Sequence, residues 1–251
     1  MKLLVIDEHP IVLQGGQELL SRGITDILQT HDLAVGWRLY RRESLEVMIV
    51  ELEMQTGAFD GLSFIHKIRL HDQRTPILVY TNQKAPVIAS RVLEAGATGY
   101  ALKDSSSDEL LRALEKVLEG KPFISYELAS EIAIMEIRGT KNPLKRLTVR
   151  ELQALAFIAE GQPYRTIAAH LHVSYKTVAN ICARLKATFG VKTLSELAQA
   201  TIVQFSKQTI YCAERNLLQY YRSVLWFCFH WYENAADHGS RWNCRTRRDC
   251  C

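Results

Sequence analysis

The sequence predicts a doubly wound α/β domain, a five-stranded parallel sheet with helices on both faces, followed by a smaller all-helical domain. Three observations predict it. Short apolar runs alternate with stretches of helical periodicity up to residue 120. From Leu147 to about Val203 the periodicity is helical only. The charge also changes sign, with 15 Lys+Arg against 20 Asp+Glu in residues 1–140 and 9 against 3 in residues 141–202. Strands that alternate with helices imply parallel pairing through crossover connections.

The elements follow in order. Residues 3–7 (LLVID) form a buried strand, and residues 10–21 carry helical spacing through Ile11, Val12, Leu19 and Leu20. Residues 24–29 (ITDILQ) supply the second strand and 46–52 (EVMIVEL) the third. Residues 62–70 place Leu62, Ile65 and Ile68 at helical intervals. Residues 76–81 (PILVYT) are a strand opened by proline, and 85–95 a helix closed at Gly96. Residues 98–102 (TGYAL) are the last strand, and 106–119 a helix capped by Ser106 or Ser107. Residues 121–146 are a linker with turn chemistry at Gly139, Asn142 and Pro143, around an amphipathic helix at 127–138. Thr148 with Glu151 three residues on makes a capping box. That helix ends at Gly161. Shorter helices follow at 164–171, from Ser174 to Phe189, and at 195–203.

Bulk composition narrows the function classes. The 251 residues suffice for two modest domains, and 47% hydrophobic with 23% charged content is ordinary for a globular chain. No apolar run approaches the ~20 residues of a membrane span. The N-terminal stretch MKLLVIDEHP meets acids at Asp7 and Glu8 and reads as a strand rather than a signal peptide. A cytoplasmic protein with no membrane partner is expected. An acidic front and a basic second domain suggest different partners, and the basic one suits a phosphate backbone.

In a doubly wound sheet, chemistry sits at the carboxyl ends of the strands. The polar residues at those ends are Asp7, Glu8, Glu51, Thr81 and Lys103. Together they make sense as a phosphate site. Paired acids suit a divalent cation such as Mg2+, with Asp7, Glu8 and Glu51 as the candidate metal ligands. A third carboxylate can accept a phosphoryl group, a hydroxyl can bond it, and a lysine can neutralise it. Tyr100, three residues before Lys103, could rotate in response. No other cofactor is implied.

The segments LLVIDEHP, VMIVELEM…DG, ILVYT and AGATGYALKD resemble the receiver domain of bacterial response regulators, in the NarL/FixJ branch, over residues 1–120. The resemblance implies a flavodoxin-like fold and makes residue 51 the phosphoacceptor position, where the family has aspartate. Here it is Glu51. Gln55 replaces the family's proline, and Glu8 stands where aspartate is commoner. An added methylene moves the carboxylate by roughly 1.5 Å, and a misplacement of about 1 Å can cost about 100-fold in transfer. Three readings stay open. Glu51 accepts phosphate poorly, or it supplies a built-in charge that biases the domain toward an active-like state, or it is a structural partner of Lys103.

The segment LTVRELQALAFIAEGQPYRTIAAHLHVSYKTVANICARLKATFGV contains two helices joined by a short turn, with Lys176, Thr177, Asn180, Arg184 and Lys186 on the second. In a helix-turn-helix the second helix enters the major groove. The segment resembles the LuxR-type DNA-binding domain over residues 147–203. By that resemblance Ser174 caps the reading helix, Lys176 meets phosphate, and Thr177, Asn180 and Arg184 face the groove. Ala179 and Ile181 stand where the family often has lysine and histidine, so a shallower salt dependence is expected. The final helix resembles the family's dimerisation helix. The partners implied are double-stranded DNA, a second copy of the chain and a sensor histidine kinase.

Residues 204–251 differ in kind. They hold three of the four Trp and five of the six Cys. Cys228, His230, His238 and Cys244 match no zinc spacing. This tail reads as an appended, poorly ordered segment. The sequence as a whole therefore predicts a transcriptional regulator rather than an enzyme. The alternative is a protein-interaction adaptor whose receiver fold docks a partner without DNA. An enzyme working on phosphate in the acidic pocket ranks last.

Overall fold

Strands β1 (Lys2–Ile6), β2 (Asp26–Thr30), β3 (Val47–Val50), β4 (Ile77–Thr81) and β5 (Gly99–Leu102) form a parallel sheet in the order β2-β1-β3-β4-β5. A sixth strand, β6 (Phe123–Ile124), extends it beside β5. The computed structural model of the chain describes residues 2–14, 26–54, 59–137 and 142–203. The second half of the 10–21 helix, residues 55–58 of the loop after Glu51, and the tail with its Cys and His residues lie outside the described residues.

Each strand is apolar on both faces because helices cover both. Leu4, Ile6, Met48, Val50, Ile77, Val79 and Tyr100 point to one side. There they pack on α1 (Leu33–Arg42), α2 (Asp60–Arg69) and α3 (Pro86–Glu94). Leu3, Val5, Val47, Ile49, Leu78 and Ala101 point to the other, against α4 (Ser107–Leu118) and Leu13 of the helical residues 10–14. Helix α1 starts at Asp32, whose carboxylate accepts the Val35 N–H at 2.8 Å.

The linker region is structured. After β6 comes α5 (Tyr126–Ile137), which packs on α3, and a short 3-10 turn at Pro143–Arg146. The helical domain then follows as α6 (Val149–Ala159), α7 (Tyr164–His170), α8 (Tyr175–Phe189) and helical residues 194–203. The capping box is present, with Thr148 Oγ1 accepting from Glu151 N–H and the Glu151 carboxylate accepting from Thr148 N–H. His172, in left-handed conformation at φ 51°, makes the turn between α7 and α8. Gly190, at φ 68°, closes α8. No described helix is long and apolar enough to cross a membrane.

Candidate functional site

The carboxyl ends of β1, β3, β4 and β5 bring Asp7, Glu51, Thr81 and Lys103 into one buried cluster. Asp7 and Glu51 are each 2% exposed. The Lys103 ammonium bridges them, 2.6 Å from Asp7 Oδ2 and in direct contact with Glu51 Oε2. The other Glu51 oxygen turns back on the chain, where Oε1 accepts from Leu52 N–H at 2.6 Å and Glu53 N–H at 3.1 Å. That turn is possible because glutamate has one more methylene than aspartate. Burial by itself would lower the Lys103 pKa, but its bonds to Asp7 and Glu51 outweigh it and hold the ammonium above its usual range.

Thr81 is fully buried at the end of β4, and its hydroxyl accepts from Gln83 N–H at 3.3 Å rather than bonding Glu51. Tyr100 is 1% exposed and donates to the Gln83 carbonyl at 2.8 Å. Burial first, then the charges of Glu53 and Glu51, push the Tyr100 phenol well above its usual range, so it stays a donor.

His9 joins this site although no sequence argument singled it out. Its N–H (2.9 Å) and Nδ1 (3.1 Å) both meet Asp7 Oδ1, and Nδ1 lies 3.3 Å from Lys103 Nζ. Its position two residues after Asp7 in IDEHP was the available signal. The candidate metal group is accordingly Asp7, His9 and Glu51, with ligand atoms within 4.8 Å of one another. Glu8 stays outside it. Its Oε1 is 3.8 Å from His9 Nε2, and its Oε2 is buried without a hydrogen-bond partner. The set does not fit Mg2+ as it stands. An imidazole is a poor ligand for a hard cation, and Lys103 already holds both carboxylates. Millimolar Mg2+ is therefore expected to leave the unfolding temperature unchanged within about 1 °C. A clear concentration-dependent rise in a thermal-shift assay would contradict this.

In the helical domain, Ser174 caps α8, its Oγ accepting from Thr177 N–H at 3.1 Å. At 100° per residue, the buried Val178, Ile181, Cys182 and Leu185 define the inner face. The exposed Lys176, Asn180, Ala183, Arg184 and Ala187 define the outer one. Thr177 and Lys186 sit half-buried on opposite flanks. The expected set therefore splits into a central strip of Lys176, Asn180 and Arg184 with two edges. Arg184 is also committed to its own domain, with Nη2 2.9 Å from Glu151 Oε1.

Residues 3–115 match the family described as "Response regulator receiver domain". Residues 145–201 match "Bacterial regulatory proteins, luxR family". The methanol utilization control regulatory protein MoxX of Paracoccus denitrificans is 34% identical over 206 residues, 82% of this chain and 92% of MoxX. The chain is a response regulator, a receiver domain followed by a LuxR-type helix-turn-helix domain. This regulator is also similar to the response regulator UvrY of Escherichia coli K12, at 26% identity over 80% of the chain and 94% of UvrY. Among solved structures it is similar to Salmonella typhimurium RcsB, with TM-score 0.64, 26% identity and coverage of 82% of this chain and 98% of that one. Salmonella RcsB bound to the promoter P1flhDC with phosphomimetic BeF3− gives TM-score 0.62, 26% identity and coverage of 80% and 98%.

Two contacts in the regulator join its site-bearing loops to the helical domain. Gln153 of α6, 7% exposed, donates from Nε2 to Asp60 Oδ1 at 2.8 Å. Asp60 opens α2, immediately before Gly61, whose N–H donates to Leu52 O at 3.0 Å. Arg91 of α3 donates to the Lys145 carbonyl at 2.8 Å. The docked surface belongs to α6, and the outer strip of α8 stays exposed. None of Asp60, Gln153 or Arg91 was legible as a site residue, because such pairs are separated by up to 93 positions in the chain.

Proposed function

We propose that this regulator binds double-stranded DNA through α8 as a homodimer, and that Glu51 holds its receiver in one state without aspartyl phosphorylation. The observation that carries the second point is the saturation of the Glu51 carboxylate by Lys103 and by the two amides that follow it. A phosphoryl group on a shorter side chain would draw on the same kinds of donor, an ammonium and backbone N–H groups. The carboxylate of Glu51 takes them directly. Both oxygens are engaged, which leaves a poor nucleophile. The fixed charge biases the domain as a phosphoryl group would. Incubation with labelled acetyl phosphate and Mg2+ is expected to label Glu51→Asp and leave the parent unlabelled. Stable label on parent Glu51 would contradict the reading.

The exposed strip of α8 supports DNA binding, as does the likeness to RcsB, which is described bound to promoter DNA. Helical residues 194–203 leave Leu194, Ile202 and Val203 exposed and suit a self-complementary pairing. A RcsB relative is described as dimers on DNA. The place of action is the cytoplasm. A sensor histidine kinase docks on the receiver without transferring phosphate to Glu51. In an electrophoretic shift assay with promoter fragments, Asn180→Ala is expected to weaken binding by about 1–3 kcal/mol and relax one base position. Lys176→Ala is expected to weaken all sequences alike and reduce the salt slope by about 1. If the parent shifts no fragment at low salt, the adaptor reading takes the place of this one.

A further inference from the structure

The receiver is acidic as a whole, yet its cations are not spread evenly. Residues 37–42 (WRLYRR) and 66–74 (HKIRLHDQR) hold six of the 15 Lys+Arg of residues 1–140 and one of their 20 Asp+Glu. The fold brings these two stretches together at the carboxyl ends of α1 and α2, around one indole. Lys67 Nζ stands 4.0 Å from the Trp37 ring centroid and Arg41 6.0 Å from it, with Tyr40 and His71 packed beside the same ring. Cations at helix carboxyl ends are favourable in themselves, which accounts for one or two of them. It does not account for how the nearby acids are used.

Those acids are all engaged elsewhere. Asp72 accepts from Arg74 N–H, Thr75 N–H, Thr75 Oγ1 and Tyr40 OH, so its oxygens are used within its own turn. Glu43 takes Lys2 and Arg42. Arg69 spends its guanidinium on three backbone carbonyls. Arg38, Arg41, Lys67 and Arg74 remain, all exposed and with no acid partner among the described residues. Leu70, 69% exposed, is the one fully presented aliphatic side chain between them.

From this we infer that the α1–α2 edge of the receiver is a second polyanion-binding surface that takes the phosphate backbone of duplex DNA. Four unpaired cations on an aromatic platform suit a partner with dense, regular negative charge, about one per 1.7 Å of duplex. A protein partner would call for a larger apolar centre than one leucine. The surface needs little affinity of its own, because a tethered second contact works at millimolar effective concentration. The inference goes beyond the function proposed above and does not require α8 to read any base.

The test uses the full chain and the triple variant Arg38→Gln/Arg41→Gln/Arg74→Gln, which touches only exposed side chains. A charge-matched control, Arg112→Gln/Lys116→Gln/Lys121→Gln, lies on α4 and just after it and is also exposed. Binding is measured to non-operator duplexes of about 16 and about 40 base pairs across a KCl series. The parent is expected to gain affinity and salt slope on the longer duplex. The triple variant should lose that gain, with the slope falling by about 2–3, and the control should keep it. The same loss in a Lys176→Ala/Asn180→Ala background would separate this surface from α8. Equal slopes for parent and triple variant on both duplexes would overturn the inference. So would equal losses in the triple variant and the control, which would leave only a net-charge effect. A variant that binds DNA as the parent does but loses an acidic protein partner would likewise overturn it, by assigning the surface to a protein.

Discussion

Lys103→Met is expected to lower receiver stability by about 3 kcal/mol at neutral pH. Lys103 is the counter-charge of two carboxylates that are each 2% exposed. Removing one partner of a buried pair leaves the others charged and desolvated, which costs more than the pair contributes when intact. Asp7 keeps two contacts from His9, and Glu51 keeps two amides, so the loss falls short of the largest values seen for buried charges. Lys103→Met/Glu51→Gln should lose less than the sum of the two single variants, with a coupling of about 1–3 kcal/mol in urea denaturation. The pH dependence has a definite sign. The Lys103 pKa is raised in the folded state, so its contribution is complete below the ordinary lysine value and is lost as pH rises through the folded value. The parent should therefore lose stability above about pH 10.5, and Lys103→Met should lack that limb. A single variant within about 0.5 kcal/mol of the parent would mean the bridge carries little.

Gly61→Ala is the second large effect. A Cβ on Gly61 would overlap the Glu51 carbonyl oxygen and lie 2.8 Å from Leu52 Cα. Both are backbone atoms at the end of β3, so no side chain can move aside. Relief requires the first turn of α2 to lift away, which breaks the Gly61 N–H bond to Leu52 O and disturbs Asp60 beside it. Overpacking of this kind costs about 1–3 kcal/mol, and the fixed backbone places this case at the upper end. Because Asp60 holds Gln153, the helical domain should loosen as well. Faster protease cleavage in the 138–146 segment than global unfolding allows would report it. Unchanged stability and unchanged cleavage would show that α2 tolerates the shift.

The parts of the fold legible in the sequence are those whose pattern is set by one local rule. The strands showed as apolar runs because both faces are buried. The α6 and α8 caps showed because Thr148 and Ser174 each bond an amide three residues on. Helix α1 did not show. Gly36 occupies its innermost position, where a Cβ would meet Ile6 Cδ1, so the apolar spacing has a gap at its centre. Strand β6 is two residues long and carries no period. At the site, Asp7, Glu51, Thr81 and Lys103 were legible because strand ends converge by topology. The route of the Glu51 carboxylate was not, since it depends on a side-chain rotation toward Leu52 and Glu53. Arg184 was expected to face a groove, and its bond to Glu151 depends on how α8 packs beside α6.

The most direct measurement is DNA binding by the full chain and by Glu51→Asp, each with and without acetyl phosphate and Mg2+. If Glu51 supplies the charge that a phosphoryl group would bring, the parent binds equally well in all conditions. Glu51→Asp then binds roughly tenfold more weakly, a shift of about 1.4 kcal/mol, and recovers when phosphodonor and Mg2+ are present together. A parent whose affinity rises with phosphodonor, or a Glu51→Asp variant that binds as the parent does in every condition, would contradict it.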